Sequence, residues 1–305
     1  MLRFALRRLG VAIAVAFTVS LACFLLLHLS GDLATSIAGP EATAAQIEAV
    51  RKQYGLDRPL VTQFADWLWH AVQLDFGRSY YFQDRVIDLI ASRLPVTMIL
   101  GGLALAFALI VAIPLGVIAA IKRDSWIDRL ALVIAVLGQA MPSFWFGLTL
   151  IIVFSVQLRW LPASGADSWQ GFILPVVALG YYATPAIMRL TRTGMLDVLG
   201  SDYIRTARAK GLRTGTIMFK HALRNAIIPV IALAAVQLGF MLGGSLVIEA
   251  VFSLHGLGYL AWEAIARNDY PVMQAIVLIL ASIYILLTLG ADLLNAAIDP
   301  RIRVR

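Results

Sequence analysis

Six stretches of this chain run without a single charged side chain: Leu9–Leu29, Pro95–Ile121, Leu130–Val156, Gly171–Met188, Ala226–Ile248 and Val272–Ala291. Crossing roughly 30 Å of hydrocarbon takes about 20 apolar residues, so the pattern predicts six transmembrane helices. The fourth stretch is the shortest and carries Pro175 and Pro185. Prolines also fall inside the second (Pro114), third (Pro142) and fifth (Pro229). Membrane helices tolerate proline where neighbours satisfy the freed carbonyls, and here bending for packing is expected. Arg3, Arg7 and Arg8 precede the first stretch, as they would a signal peptide. Its apolar run exceeds the roughly 7–15 residues of a signal core, and no clear small-residue cleavage site follows directly. A retained helix is expected.

Two connections are longer than a turn. Ser30–Leu94 has room for a small helical insert, with Thr43 and Gln46 spaced as a capping box. Ile47, Val50 and Tyr54 then share a helix face, and Gly55 fits the stop. A second amphipathic run, Leu60–Val72, carries Phe64, Trp67, Leu68 and Trp69, whose aromatic rings suit the headgroup level. The other long connection, Arg189–Asn225, is the most basic part of the chain.

Composition agrees with a lipid solvent. Hydrophobic residues make up 60% of the 305 and charged ones 14%, with a mean hydropathy of +0.83. Ordinary soluble domains are about 45–50% apolar and about 25% charged. Basic residues resist translocation, and this sets the orientation. With the N-terminus in the cytoplasm, the inner segments hold Arg3, Arg7, Arg8, Lys122, Arg123, Arg129, the eight cations of Arg189–Asn225, and Arg301, Arg303 and Arg305. That is 17 basic against 5 acidic residues, while the outer segments hold 8 against 12. The net charge of +7 is therefore a topology signal rather than a nucleic-acid footprint, and both termini are expected inside.

Much chemistry is absent. None of Lys52, Lys122, Lys210 and Lys220 follows a glycine, so the chain carries no phosphate-binding P-loop. No HExxH or GxSxG motif occurs, and Ser164 in Leu161-Pro162-Ala163-Ser164-Gly165 reads as a turn. The single Cys23 and four scattered histidines offer neither a disulfide nor a metal site. An ion-driven carrier usually places ionisable groups at mid-membrane, and here no Asp, Glu, Lys or Arg lies in the middle of a span. Gln139, Ser143, Gln237 and Ser245 are the polar groups inside, suiting either a water-lined path or helix packing. Gly239 and Gly243 lie four apart in the fifth span, beside Gly244, and permit close backbone approach within the subunit or across an interface.

The basic connection predicts a short helix. Asp202 sits at its positive end, Arg208 and Lys210 at its negative end, and Gly211 just past it. Ala207, one turn earlier, is placed for close docking. Such a helix either enforces topology and touches anionic lipid, or inserts into a groove on a cytoplasmic partner. The run Tyr203-Ile204-Arg205-Thr206-Ala207-Arg208-Ala209-Lys210-Gly211-Leu212, followed by His221-Ala222-Leu223-Arg224-Asn225-Ala226-Ile227-Ile228-Pro229, resembles the membrane subunits of binding-protein-dependent ABC importers. More closely, it resembles the dipeptide/oligopeptide-type permeases. Arg205-Thr206 replace the Glu-Ala of the general importer pattern and Arg224 stands where proline would follow Leu223, while Ala207, Gly211 and Leu223 remain. Further family-like runs follow in order: Gly39–Thr43, Tyr54–Leu60, Leu74–Ser79, Arg93–Thr97, Glu249–Gly258 (with His255 where proline is common), Asp269–Pro271 and Asp299–Arg303.

The resemblance implies an all-α polytopic protein of type I ABC importer permease architecture, in a bacterial inner membrane. Residues 1–29 would hold the tail and first helix, 30–94 a helical extracytoplasmic insert, and 95–305 a five-helix core with a coupling loop at 189–225. It implies half of a path for dipeptides, oligopeptides, glutathione or nickel chelates, working by alternating access. The partners would be a second homologous permease, two cytoplasmic ATPases and an extracytoplasmic solute-binding protein. ATP and Mg would bind those ATPases and no cofactor this chain. Tyr203, Arg205, Ala207, Arg208, Gly211, Leu212 and Leu223 would couple to them; Gln237, Gly239, Gly243 and Ser245 are the candidates for path or interface. The contrasting reading is an ion-driven carrier or membrane-embedded enzyme acting alone.

Overall fold

The computed structural model of the chain describes residues 2–30, 32–39, 41–166 and 168–298. The Asp299–Arg303 run and Arg305 lie outside them. Helix α1 (Leu2–Ser30) leads into three short helices, α2 (Leu33–Ala38), α3 (Ala44–Gln53) and α4 (Leu60–Val72). The predicted capping box is formed: Thr43 Oγ1 accepts from Gln46 N–H, and Gln46 Oε1 accepts from Thr43 N–H at 2.8 Å. Gly55 takes a φ of +64° at the stop. Phe64 of α4 packs edge-on to Phe17 and Phe24 of α1, and His28 Nε2 lies 3.1 Å from Gln63 Oε1. Of the aromatics expected at headgroup level, Phe64 thus faces α1 while Trp69 is exposed.

The chain continues through α5 (Val86–Ile121), α6 (Trp126–Ala140), α7 (Ser143–Leu150), which widens into a π-helix over Ile151–Gln157, and α8 (Ile173–Leu199). After α9 (Asp202–Ala209) come α10 (Thr214–Thr216), a π-helical turn Ile217–Leu223 and α11 (Arg224–Ala226). Helices α12 (Ile228–Val251), α13 (Leu257–Ala266) and α14 (Tyr270–Ile298) complete it. Among the described residues, five segments are long and apolar enough to cross a membrane: Ala5–Leu26, Val86–Ile121, Trp169–Leu199, Ile228–Val251 and Tyr270–Asn295.

The third expected span is not one helix. Pro142 lacks an N–H and forces Met141 out of helical geometry (φ −85°, ψ 129°), separating α6 from α7. By contrast Pro95, Pro114 and Pro185 sit inside continuous helices. Helices α5 and α8 also run beyond their charge-free stretches. Helix α5 thus begins at Val86, before Leu94, and residues 189–199 form the tail of α8.

The core forms where α5 meets α8. Leu100, Ala104, Ala108 and Ala112 recur every four residues along α5 and are fully buried against Ala178, Ala183 and Ile187. Small residues let the backbones close up. A Cβ on Gly180 would stand 2.5 Å from Ala104 O.

Segments that the charge count places on one side also meet at one end of the bundle. Arg8 pairs with Asp292 at 2.6 Å. Arg192 grips the buried Asp128 with both Nε and Nη2 at 2.7 Å. These hydrogen bonds hold the Asp128 carboxyl below the usual carboxylate range, against the opposing effect of burial. At the opposite end, Ser79 donates to the buried Asp269, whose oxygens also accept from Tyr80 N–H (3.2 Å) and Tyr81 N–H (3.3 Å).

Candidate functional site

At the Arg8–Asp128 end, α9 stands on an apolar base. Ile204 and Ala207 are buried with Val117, Met195, Met218 and Ala222. Asp202, in the first turn of α9, pairs with Arg205, and Asn225 donates to Tyr203 Oη at 2.8 Å. Gly211 has a φ of +73°, as its place just past the helix end favours, with open space where a Cβ would stand. Ala207 is buried in this base, where its small size serves packing, and Leu223 is half-buried against it.

Three apolar side chains of this region remain outward: Tyr203 is 44% exposed, Leu212 40% and Phe219 67%, and Arg205, Arg208, Lys210 and Lys220 of the same segments are also exposed. Sequence reasoning passed over Phe219. The π-helical turn buries Ile217, Met218 and Ala222 while leaving Phe219 and Lys220 outside. Such widened turns recur at functional sites.

The structure separates the four candidates on α12. Gly239 packs directly on the Tyr284 ring of α14, an internal contact. Gly243 and Gly244 are exposed with open space above them, flanked by Phe240 and Val247 at 63% and 40% exposure. Gln237 is half-buried. Ser245 is fully buried and donates to Glu249 Oε1 at 2.9 Å, so its hydroxyl lies in the subunit interior.

Glu249 is itself an unforeseen centre. It is fully buried and also accepts from Thr97 Oγ1 (2.7 Å) and Tyr259 N–H (2.9 Å). Thr97 Oγ1 in turn accepts from Leu257 N–H at 2.8 Å. Two family-like runs, Arg93–Thr97 and Glu249–Gly258, therefore form one clasp. Leu74–Ser79 and Asp269–Pro271 form another through Ser79 and Asp269. A side chain at Gly256 would collide with both Glu249 Oε2 and Thr97 Oγ1, each 2.5 Å from an added Cβ.

Apolar spans, an outward patch on a packed base at one end and polar clasps at the other define a polytopic all-α membrane subunit. Residues 112–304 match the family of binding-protein-dependent transport system inner membrane components, and residues 1–101 match the N-terminal region of such components. The chain belongs to this family and is a permease subunit of an ABC importer. It is 47% identical over 306 residues to the glutathione transport system permease protein GsiC of Escherichia coli K12, covering 100% of both chains. The GsiC of Shigella flexneri serotype 5b (strain 8401) gives the same figures. In fold it is similar to an inward-facing MetNI methionine ABC transporter (TM-score 0.58, 20% identity), over 69% of this chain and 96% of that one.

Proposed function

We propose that this chain is one half of the translocation path of an ATP-driven importer for glutathione or closely related peptide-like solutes. The full-length 47% identity to glutathione permeases supports that solute. The path would work by alternating access between two packed arrangements. Catalysis belongs to two cytoplasmic ATPases carrying ATP and Mg, and solute capture to an extracytoplasmic binding protein. The observation that carries the coupling role is the exposure of Tyr203, Leu212 and Phe219 beside a packed base. These apolar groups, with the exposed Arg205, Arg208 and Lys210 on the same segments, would suit an acidic-rimmed groove on an ATPase. The test is uptake of labelled glutathione into proteoliposomes holding the full complex. Uptake is expected only with ATP, both ATPases and the binding protein; uptake by this chain alone would establish a stand-alone carrier.

Six spans with both termini cytoplasmic follow if α6 and α7 together make the broken third crossing. The 17-to-5 inner charge count supports that orientation. Impermeant maleimide added to intact spheroplasts is expected to label Gln83→Cys and Ser168→Cys but not Thr214→Cys. Labelling at residue 214 alone would invert the topology.

The open Gly243–Gly244 surface supports a contact with the second permease. A Gly243→Cys variant is expected to crosslink to cysteines on that subunit, whereas Gly239→Cys is not. Crosslinks from residue 243 confined to its own chain would remove the interface.

A further inference from the structure

The turn entering α5 holds two exposed arginines, Arg78 and Arg85. Arg78 and Arg85 stand opposite each other in an antiparallel bridge. The turn is closed by Ser79 N–H to Asp84 O (2.9 Å) and Val86 N–H to Gly77 O (3.0 Å). Like charges directly opposite on paired backbone are destabilising. Yet among the described residues neither guanidinium makes an ion pair. Two nearby carboxylates are engaged elsewhere: Asp75 Oδ1 accepts from Gly77 N–H, and Asp269 from Ser79, Tyr80 and Tyr81, while Asp84 and Asp88 are exposed on the same segment. Helix α5 starts at Val86, so its positive end lies beside these arginines, with Asp88 in its first turn.

Arg78 lines a cavity of about 440 Å³ with Ile37, Tyr54, Ser79, Tyr80 and Gln83. That volume lies within the roughly 300–1,000 Å³ of small-molecule sites. Tyr54 and Tyr80 meet edge-to-face at 6.2 Å, giving an aromatic wall. The Gln83 amide donates to Tyr80 O at 2.7 Å, which fixes the side chain at the rim. An unpaired guanidinium beside an aromatic wall and an amide suits a carboxylate, which arginine binds through two parallel N–H groups.

We infer that this cavity is a subsite for a carboxylate of the transported solute, with Arg78 as its direct ligand and Arg85 as a second cation. The inference rests on the reading of the chain as an importer of peptide-like solutes. Its test is saturation-transfer NMR on the full complex in nanodiscs, without binding protein or ATP. The probes are glutathione and its dimethyl ester, which lacks both carboxylates. Wild type is expected to give a glutathione signal at least fivefold stronger than the ester. Arg78→Gln should lose at least fivefold and Arg85→Gln two- to threefold, while Arg58→Gln, whose partner is Asp66 elsewhere on the insert, should match wild type. Equal signals from wild type and Arg78→Gln, or no wild-type signal, would overturn the subsite. So would unchanged solute signals alongside lost capture of the binding protein, which would make the arginines a protein contact. ATP-dependent uptake without Arg78-dependent binding sinks only the subsite; binding without ATP-dependent uptake sinks only the importer reading.

Discussion

Glu249→Leu is expected to destabilise the subunit more than any other single change at the clasp end. The carboxylate accepts from Thr97, Ser245 and Tyr259 N–H with no water-exposed surface. Leucine leaves the Thr97 hydroxyl and the Tyr259 N–H without acceptors, while Ser245 keeps Leu242 O at 3.0 Å. A stranded buried donor costs about 1–3 kcal/mol, so the pair amounts to roughly 2–6 kcal/mol. That is a large share of the 5–15 kcal/mol that typically separates folded from unfolded chains. Thermal unfolding in detergent, followed by tryptophan fluorescence, should show a large fall in Tm for Glu249→Leu. Thr97→Val should fall less and Ser245→Ala least. Because the groups act as a unit, Thr97→Val added to Glu249→Leu should cost less than it does alone. An unchanged Tm for Glu249→Leu would show that the clasp contributes nothing.

That clasp marks the boundary of what the sequence could show. Local features were legible because their causes are local. The Thr43–Gln46 box, the Leu60–Val72 helix, and α9 with its glycine all depend on residues within a turn or two. The family-like runs were visible as strings, but their pairing was not. Thr97 and Glu249 lie 152 residues apart, and Ser79 and Asp269 190 apart. No periodicity encodes which helix ends meet. Charge-free stretches underestimated α5 and α8 because a helix continues past a charge that finds a partner, as Arg192 does on Asp128. The break at Pro142 was a matter of degree: proline was seen, but whether neighbours hold the helix together is decided by packing. The packing of Ala207 was hidden for a related reason. A small residue reads the same whether it faces a partner or the subunit's own core, and only the base of Met195, Met218 and Ala222 decides.

Disrupting the α9 patch is expected to abolish ATP-dependent uptake while leaving the permease inserted. Gly211→Val acts through the backbone alone: no neighbour lies near an added Cβ, but a φ of +73° is strained for valine. Left-handed geometry costs roughly 1–2 kcal/mol for a residue with a Cβ, so the chain end of α9 should shift to relieve it. That would displace Leu212, whose N–H bonds to Ala207 O at 3.3 Å. Phe219→Ser acts differently. Its ring is already 67% exposed, so the isolated subunit should lose little stability. A ring buried in a partner groove, however, contributes about 1.5–3 kcal/mol. Losing it should weaken ATPase capture roughly 10- to 150-fold, since each 1.4 kcal/mol is a factor of ten. Pull-down of the ATPases beside glutathione uptake separates the outcomes. Both variants should express and pair at wild-type levels, Phe219→Ser should lose ATPase capture, and uptake should fall at least tenfold in each. Full uptake by both would confine this loop to setting topology, because a docking surface cannot lose its most exposed ring and its end geometry without consequence.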